Sequence, residues 1–193
     1  MKKIYTLESD VTDFCSFIQD YPEGERSIIG RSMLQNWKPF SDSYKPVTLE
    51  LRKNERGKKN HQFDLSSALS PFFVISDLTL EKIGDILLPR GQILPVETQS
   101  KKKVFWGYYP TNPLSGCFDR ESSLFREAER GLIIEKPVLY QNKITDDYLF
   151  SIEEDISRVF VTDAFKRRVE EAGLLGFEFS VEIPTLMQCR PQQ

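Results

Sequence analysis

The feature that most constrains the fold of this chain is a strand–cap–helix pattern that occurs twice. In the first copy the apolar run FFVI precedes Ser76 and Asp77, and in the second the run RVFV precedes Thr162 and Asp163. A Ser or Thr hydroxyl at this position accepts a hydrogen bond from a free amide of the first helical turn, and an acid there is favoured by the helix dipole. The pattern therefore predicts two helix starts rather than catalytic groups. Any capped β-α-β module has these features, so the pattern does not require an internal duplication.

The apolar spacing predicts how far each helix extends. Leu80, Ile83 and Leu87 are three and four positions apart, which is typical of one helix face, and Pro89 follows where that helix ends. The second helix shows the same kind of spacing, and Gly173 is suited to the left-handed residue that terminates it.

Most of the remaining chain predicts strands, because it is rich in β-branched and aromatic residues. These runs are 2–7, 47–51, 102–109, 132–140, 148–152 and 158–161. Helical spacing predicts a further helix over 10–21, residues 25–46 are expected to be irregular, and 176–183 alternates as one amphipathic strand. Together these patterns predict a single α+β domain over residues 1–193, with a mainly antiparallel sheet and two to three packed helices.

Composition limits the classes of function. The 193 residues have a formal net charge of −3, which argues against a nucleic-acid binder with a basic footprint. Three widely spaced cysteines predict neither a disulfide framework nor a metal site, and they fit a reducing compartment. The chain has no long apolar segment, so we expect a cytoplasmic protein that does not span a membrane.

Few residues suggest catalysis. The one histidine, His61, lies in the polar run 52–62 and is interpreted as a surface residue, so a Cys15 or Cys117 nucleophile activated by it has no local signature in its support. No phosphate-binding, dinucleotide-binding, zinc-protease or nucleophile-elbow motif occurs, and no cofactor or metal is expected. Carboxylates remain the alternative for acid–base chemistry.

One charged segment suggests a binding surface. The run DDYLFSIEED holds five acids and no base, interleaved with aromatic and aliphatic residues. Acids around aromatic residues suit a basic protein partner, whereas an edge strand with charged ends explains the same run without any partner. The candidate partner-binding residues are Asp146, Asp147, Glu153, Glu154 and Asp155.

The last quarter of the chain, SRVFVTDAFKRRVEEAGLLGFEF, has a recognisable pattern: a strand, V-[ST]-D-x-[FL]-K at a helix start, then A-G-L-x-G-F-x-F. The matching residues are Val161, Thr162, Asp163, Phe165, Lys166, Ala172, Gly173, Leu174, Gly176, Phe177 and Phe179. In this pattern the chain resembles family 11 of the bacterial immunity proteins of polymorphic toxin systems. Upstream, FFVISDLTLEKIGDILLPRGQILPVE and YYPTNPLSGCFDRESSLF are similar to two further blocks of that family. The resemblance covers about residues 70–183, whereas residues 1–69 match it only loosely.

The resemblance implies a function and no catalytic residues. Such proteins are expected in the cytoplasm, where they bind and neutralise a cognate toxin domain, often a nuclease, by stoichiometric inhibition. Two other classes remain open: a small hydrolase or modifying enzyme that uses carboxylates or Cys117, and an interaction or phage-defence module without a toxin. The sequence does not fix the oligomeric state.

Overall fold

The computed structural model describes residues 1–20, 23–129 and 131–187 as a single-domain α+β fold with mostly antiparallel sheets, as the sequence predicts. Its helices are α1 (Ile28–Gln35), α2 (Asp77–Leu87) and α3 (Asp163–Glu171), and short 3-10 turns cover Leu88–Arg90 and Gln141–Lys143. The strands in chain order are β1 (Ile4–Thr6), β2 (Glu8–Ser9), β3 (Ser16–Asp20), β4 (Val47–Arg52), β5 (Leu65–Ser66), β6 (Phe73–Ser76), β7 (Gly91–Glu97), β8 (Phe105–Pro110), β9 (Pro113–Leu114), β10 (Leu124–Ala128), β11 (Gly131–Lys136), β12 (Leu139–Tyr140), β13 (Leu149–Ile152), β14 (Asp155–Thr162), β15 (Phe177–Glu178), β16 (Glu182–Ile183) and β17 (Thr185–Leu186).

Two larger sheets organise the fold. The first has the order β3-β4-β7-β8-β6-β5, in which β4 and β7 are parallel and the other neighbours are antiparallel. The second has the order β16-β1-β14-β13-β9, in which β13 and β9 are parallel. The remaining strands form three two-stranded ribbons, β10-β11, β12-β17 and β15-β2.

The two strand–helix units fold as the sequence predicts. Ser76 and Thr162 cap α2 and α3, with hydroxyls that accept hydrogen bonds from the amides of residues 79 and 165. The helices are joined by Arg168, whose guanidinium donates to both carboxylate oxygens of Asp85 at 3.0 and 2.8 Å. Gly173 has φ 67°, the left-handed conformation expected at the end of α3.

The core lies in three layers separated by the sheets. Successive side chains of a strand point to opposite faces, so Tyr108 packs with α2 and α3, whereas Phe105 and Tyr109 on the same strand pack on the α1 side. In the second sheet Val159 and Val161 face the same helical layer, and Phe160 faces the side of β10, β11 and β12. Both sheets thus share the central layer, which makes the molecule one folding unit.

Three predictions of local structure are wrong. In the segment 10–21, of which residue 21 lies outside the described part, Asp10 accepts from the amides of residues 12 and 13 in a turn, and β3 follows in place of a helix. Within 25–46, expected to be irregular, lies α1. The segment 176–183 divides into β15, which pairs with β2, and β16, which pairs with β1, so Val181 is exposed.

Candidate functional site

The strongest candidate site is a cleft of about 380 Å³ between the end of α1 and the turn that joins β13 to β14. We call it the Trp37–Glu154 cleft. Its lining residues are Met33, Asn36, Trp37, Arg120, Gly131, Leu132, Glu153, Glu154, Asp155, Ile156 and Ser157.

The first wall of the cleft is the strained end of α1. The helix begins at Ser27, whose hydroxyl accepts from the amide of Gly30 at 3.2 Å. It ends at Asn36, which has φ 48°, and Trp37 follows with φ 62°. Asparagine tolerates the left-handed region, but a bulky side chain there is an outlier that costs on the order of 1–3 kcal/mol. Such strain persists only where the surroundings hold it and is concentrated at functional sites.

A buried tyrosine holds this strained segment in place. The backbone amide of Trp37 donates to the hydroxyl of Tyr109 at 2.9 Å, and that hydroxyl donates to the carbonyl of Ser32 at 2.8 Å. Burial raises the pKa of Tyr109, so the phenol keeps the proton that it donates. The ring packs against Phe40 with centroids 5.2 Å apart. The backbone of Trp37 is therefore positioned by the core of the fold.

The opposite wall is the β13–β14 turn, which supplies three consecutive acids. The amide of Glu153 donates to the carbonyl of Leu114 at 3.3 Å, which ties the turn to β9. Asp155 accepts from the amide and hydroxyl of Ser157 at 3.1 and 2.6 Å, so its orientation is fixed. Glu154 lies between them, and its Oε2 atom has no hydrogen-bond partner among the described residues.

Each wall carries a buried polar atom that finds no partner among the described residues. These atoms are the indole Nε1 of Trp37, which is a donor, and the carboxylate Oε2 of Glu154, which is an acceptor. A buried polar group without a hydrogen bond costs roughly 1–3 kcal/mol, and most such groups in folded proteins are paired. Both atoms are buried in the walls of one cleft, so a polar ligand would reach them only after these two side chains turn toward it.

The cleft is acidic, and burial perturbs one of its carboxyls. Desolvation raises the pKa of Glu154, and the adjacent charge of Glu153 raises it further. Arg120 opposes this shift, but its guanidinium also pairs with Glu127 at 3.2 Å. The three acids of the turn therefore outweigh the one cationic residue of the lining.

This arrangement suits a cationic side chain. An indole face attracts guanidinium or ammonium groups, and carboxylates provide charge-assisted acceptors. Met33 is 45% exposed and adds apolar surface for the stem of such a side chain. Neither histidine nor cysteine lines the cleft, so its ionisable acid–base groups are carboxyls and one guanidinium.

The five predicted partner-binding acids do not form one cluster. Glu153, Glu154 and Asp155 line the cleft, whereas Asp146 and Asp147 lie at the other end of the β13–β14 hairpin, roughly 20 Å away at about 3.3 Å per residue.

The second group of acids is already engaged. Asp146 pairs with Arg90 at 2.8 Å and accepts from the amides of residues 148 and 149, and its side chain is only 16% exposed. Asp147 is exposed and pairs with Lys2 at 2.8 Å, and this lysine lowers the pKa of its carboxyl. Asp146 thus stabilises the start of the hairpin.

The apolar residues within the acidic run do not form a contact surface. Leu149, Phe150 and Ile152 are fully buried in the core, and Tyr148 is half-buried under the guanidinium of Arg90 at 5.2 Å. The interpretation of an acidic rim around exposed aromatic residues is therefore wrong for this strand. Because alternate strand residues face opposite layers of a three-layer core, both faces of β13 are covered.

The candidate catalytic residues lie outside the cleft. His61 is half-buried, with its ring tilted against those of Phe17 and Phe105, so it is only partly the surface residue that the sequence predicts. Burial and then Lys103 lower its pKa. Cys117 is fully buried, and desolvation raises its thiol pKa to about 11. Along 1–20, 23–129 and 131–187 no group of His, Cys, Asp or Glu side chains has the arrangement of a metal site.

Sequence reasoning missed the α1 side of the cleft, which Met33, Asn36 and Trp37 provide. A usable signal was present: Ser27 is a good N-cap, and Asn36 is a residue type common at a left-handed helix end. The left-handed Trp37 has no comparable signal in the sequence.

Comparisons with known proteins do not assign the chain to a family. The chain matches no protein-family model, and a search of curated proteins returns no match. Within the described residues no helix is long and apolar enough to cross a bilayer.

Proposed function

We propose that this chain is a cytoplasmic immunity protein that binds and neutralises a cognate toxin domain by stoichiometric inhibition, with the Trp37–Glu154 cleft at the centre of the interface. The observation that carries the proposal is the pair of unpartnered buried atoms, Trp37 Nε1 and Glu154 Oε2, in one acidic cleft. The resemblance of residues 70–183 to immunity proteins agrees with it.

The cleft has the features of an interface hot spot. Such spots are enriched in Trp, are well packed and pair with anchors on the partner. The backbone of Trp37 is held by Tyr109 before any partner arrives, so binding loses little backbone freedom there. We therefore assign to the partner one basic side chain that enters the cleft and bonds Glu154.

The charge of the cleft favours a toxin with basic residues. A nuclease binds phosphate with Arg and Lys, and an acidic inhibitor competes for those groups. A stable complex needs an interface of roughly 1,600 Å² in total, so the cleft would be the centre of a larger contact. Coverage of the toxin's active site would then block access of its substrate.

One observation favours a second candidate, an enzyme. Glu153 and Glu154 are adjacent, and the pKa of Glu154 is raised, which is how paired carboxyls divide acid and base roles. Against this, the cleft offers no activated nucleophile, and burial keeps the Cys117 thiol protonated at neutral pH. Turnover of a substrate by the purified chain, lost in Glu154→Gln, would favour the enzyme.

The first experiment is co-expression with the adjacent gene. The neighbouring open reading frame is expressed with and without this chain, and surviving cells are counted. Rescue of growth together with co-purification in a fixed ratio is the expected outcome. A harmless neighbour, or killing that this chain does not prevent, contradicts the immunity function and favours an interaction module without a toxin.

Matched variants then locate the interface. We expect Glu153→Gln with Glu154→Gln to weaken toxin binding at least tenfold, since each removes a charge-assisted acceptor. The control removes two exposed charges elsewhere, Glu50→Gln with Glu171→Gln, and should bind as the wild type does. Equal affinity of both double variants at low salt would refute the cleft as the contact surface.

Loss of the indole needs its own control for folding. Trp37→Asn removes the ring but keeps a residue that tolerates the left-handed backbone. We expect it to bind the toxin at least tenfold more weakly while retaining a cooperative thermal transition. Binding unchanged in this variant would exclude Trp37 as an anchor.

A further inference from the structure

A different part of the surface, on α1, carries a cation without a counter-ion. Arg31 on α1 forms no ion pair and no side-chain hydrogen bond within the described residues, although the chain has more acids than bases. Its guanidinium contacts two aromatic rings instead, with its carbon 5.7 Å from the centroid of Phe40 and 5.2 Å from that of Tyr44. The two rings are inclined at 69° to each other, so the planar guanidinium can stack on only one of them, and the N–H groups directed at neither ring remain free to donate.

The aromatic support of Arg31 is rigid. The amide of Phe40 donates to the side-chain oxygen of Gln92 at 2.7 Å, and the Gln92 side-chain nitrogen donates back to the Phe40 carbonyl at 3.0 Å. The hydroxyl of Tyr44 donates to the carbonyl of Pro95 at 3.0 Å. Burial raises the pKa of Tyr44 to about 12, so the phenol is neutral at physiological pH and gives Arg31 no counter-charge.

Two hydroxyls line the same cavity. Ser41 and Ser43 Oγ atoms lie 2.7 Å apart, and because one hydrogen joins the pair, the other remains available to a ligand. The cavity has a volume of about 340 Å³, within the range of small-molecule sites. Its lining residues are Arg31, Leu34, Gln35, Phe40, Ser41, Ser43 and Tyr44.

An adjoining cavity makes this part of the surface more positive. It shares Arg31 and Ser43 with the first, and its lining adds Arg26 and Lys45. The acids of that lining are Asp20 and Glu25, so three cations face two anions in a chain whose total charge is negative. A local excess of positive charge raises the concentration of anions at the surface.

We propose that the Arg31 cavity binds the phosphate group of a small phosphomonoester, a function separate from toxin neutralisation. The forked guanidinium edge of Arg31 donates hydrogen bonds to two phosphate oxygens. The free hydroxyl hydrogen of the Ser41–Ser43 pair donates to the third. The remaining volume, beside Gln35 and the Tyr44 ring, accepts part of the organic group that the phosphate carries. A carboxylate has two oxygens, uses the same fork, and leaves the seryl donor unused.

The test titrates the full chain with phenyl phosphate, inorganic phosphate and benzoate, followed by calorimetry and by amide chemical shifts of residues 41 and 43. We expect saturable binding of phenyl phosphate, weaker binding of inorganic phosphate, and the weakest binding of benzoate. Arg31→Gln should weaken the binding of phenyl phosphate at least tenfold. Arg31→Lys keeps the charge but loses the fork, so its affinity should lie between those of the wild type and Arg31→Gln. Arg126→Gln removes the same charge on β10 and should bind as the wild type does.

Three results would overturn the proposal. They are the absence of saturation by phenyl phosphate, equal affinity in Arg31→Gln and Arg126→Gln, and benzoate binding as tight as phenyl phosphate. The thermal transition of each variant is measured in parallel. If Arg31→Gln proves unfolded, the affinity of Arg31→Lys for phenyl phosphate is compared with that of Arg126→Gln instead. Since no toxin is present, failure here leaves the co-expression result unaffected.

Discussion

Asp64 is the position where one substitution should most damage the fold. Its carboxylate is buried and accepts three hydrogen bonds: Oδ1 from Ser76 Oγ at 2.6 Å and from Lys103 Nζ at 2.6 Å, and Oδ2 from the amide of Leu175 at 2.8 Å. Ser76 caps α2, and Leu175 follows α3, so this one side chain connects both strand–helix units. Asp64→Ala would remove both acceptor oxygens, and with them all three hydrogen bonds.

The cost follows from what the substitution leaves behind. Removal of one partner of a buried ion pair costs roughly 3–5 kcal/mol, because the other charge stays desolvated. Lys103 keeps 24% of its side chain exposed and retains a hydrogen bond to the carbonyl of Phe63 at 2.7 Å. Both features reduce the free energy lost when its charge is left unpaired. The orphaned amide of Leu175 adds about 1 kcal/mol. We expect a loss of about 3–4 kcal/mol, a large part of the 5–15 kcal/mol typical of a domain.

Urea unfolding at neutral pH measures this loss, and the melting temperature should fall by about 10 °C. The control is Asp13→Ala, which breaks an exposed pair with Arg56 and should change stability by less than about 0.5 kcal/mol. If the unpaired lysine is the main cause, Asp64→Ala with Lys103→Met should recover part of the loss. A loss below about 1 kcal/mol, or a double variant less stable than Asp64→Ala, would refute this account.

Three further outcomes are expected. Gly107→Ala should destabilise the fold by about 3 kcal/mol in urea unfolding, because a Cβ there would overlap the buried ring of Phe72. The raised pKa of Glu154 means that the folded state binds its proton more tightly, so its contribution to stability falls as pH rises from the ordinary 4.5 to the raised value, and Glu154→Gln should flatten that part of the stability profile. Cys117 should resist alkylation at pH 8 until the chain is unfolded, as peptide mass spectrometry of the labelled protein would measure, and rapid labelling of the folded chain would contradict its burial and raised pKa.

The sequence predicts best where local physics decides the structure. Ser76 and Thr162 start helices because the hydroxyl, the following acid and the apolar spacing all act within a few residues of chain. The same holds for Gly173, where a left-handed residue ends α3. These features needed no knowledge of distant partners.

Prediction from the sequence fails where pairing with a distant strand determines the secondary structure. Phe14, Phe17 and Ile18 have helical spacing, but pairing of β3 with β4 places Phe17 opposite Leu51 and buries it in the α1 layer. Long-range pairing overrides local propensity here, because burial of an aromatic ring is worth more than the weak preference of a few residues for a helix.

The candidate site belongs to this second kind. Trp37 and Glu154 are more than a hundred residues apart, and they meet because Tyr109, at the end of a central strand, fixes the end of α1 while β9 anchors the β13–β14 turn. The acids could be listed from the sequence, but not divided into those that stabilise the hairpin and those that line the cleft. That division depends on Arg90, which pairs with Asp146 in the fold, whereas Glu154 forms no ion pair among the described residues. The strand–helix units thus act as scaffold, and the surface proposed to bind a partner is built from α1, which precedes the first unit, and from segments between the two units.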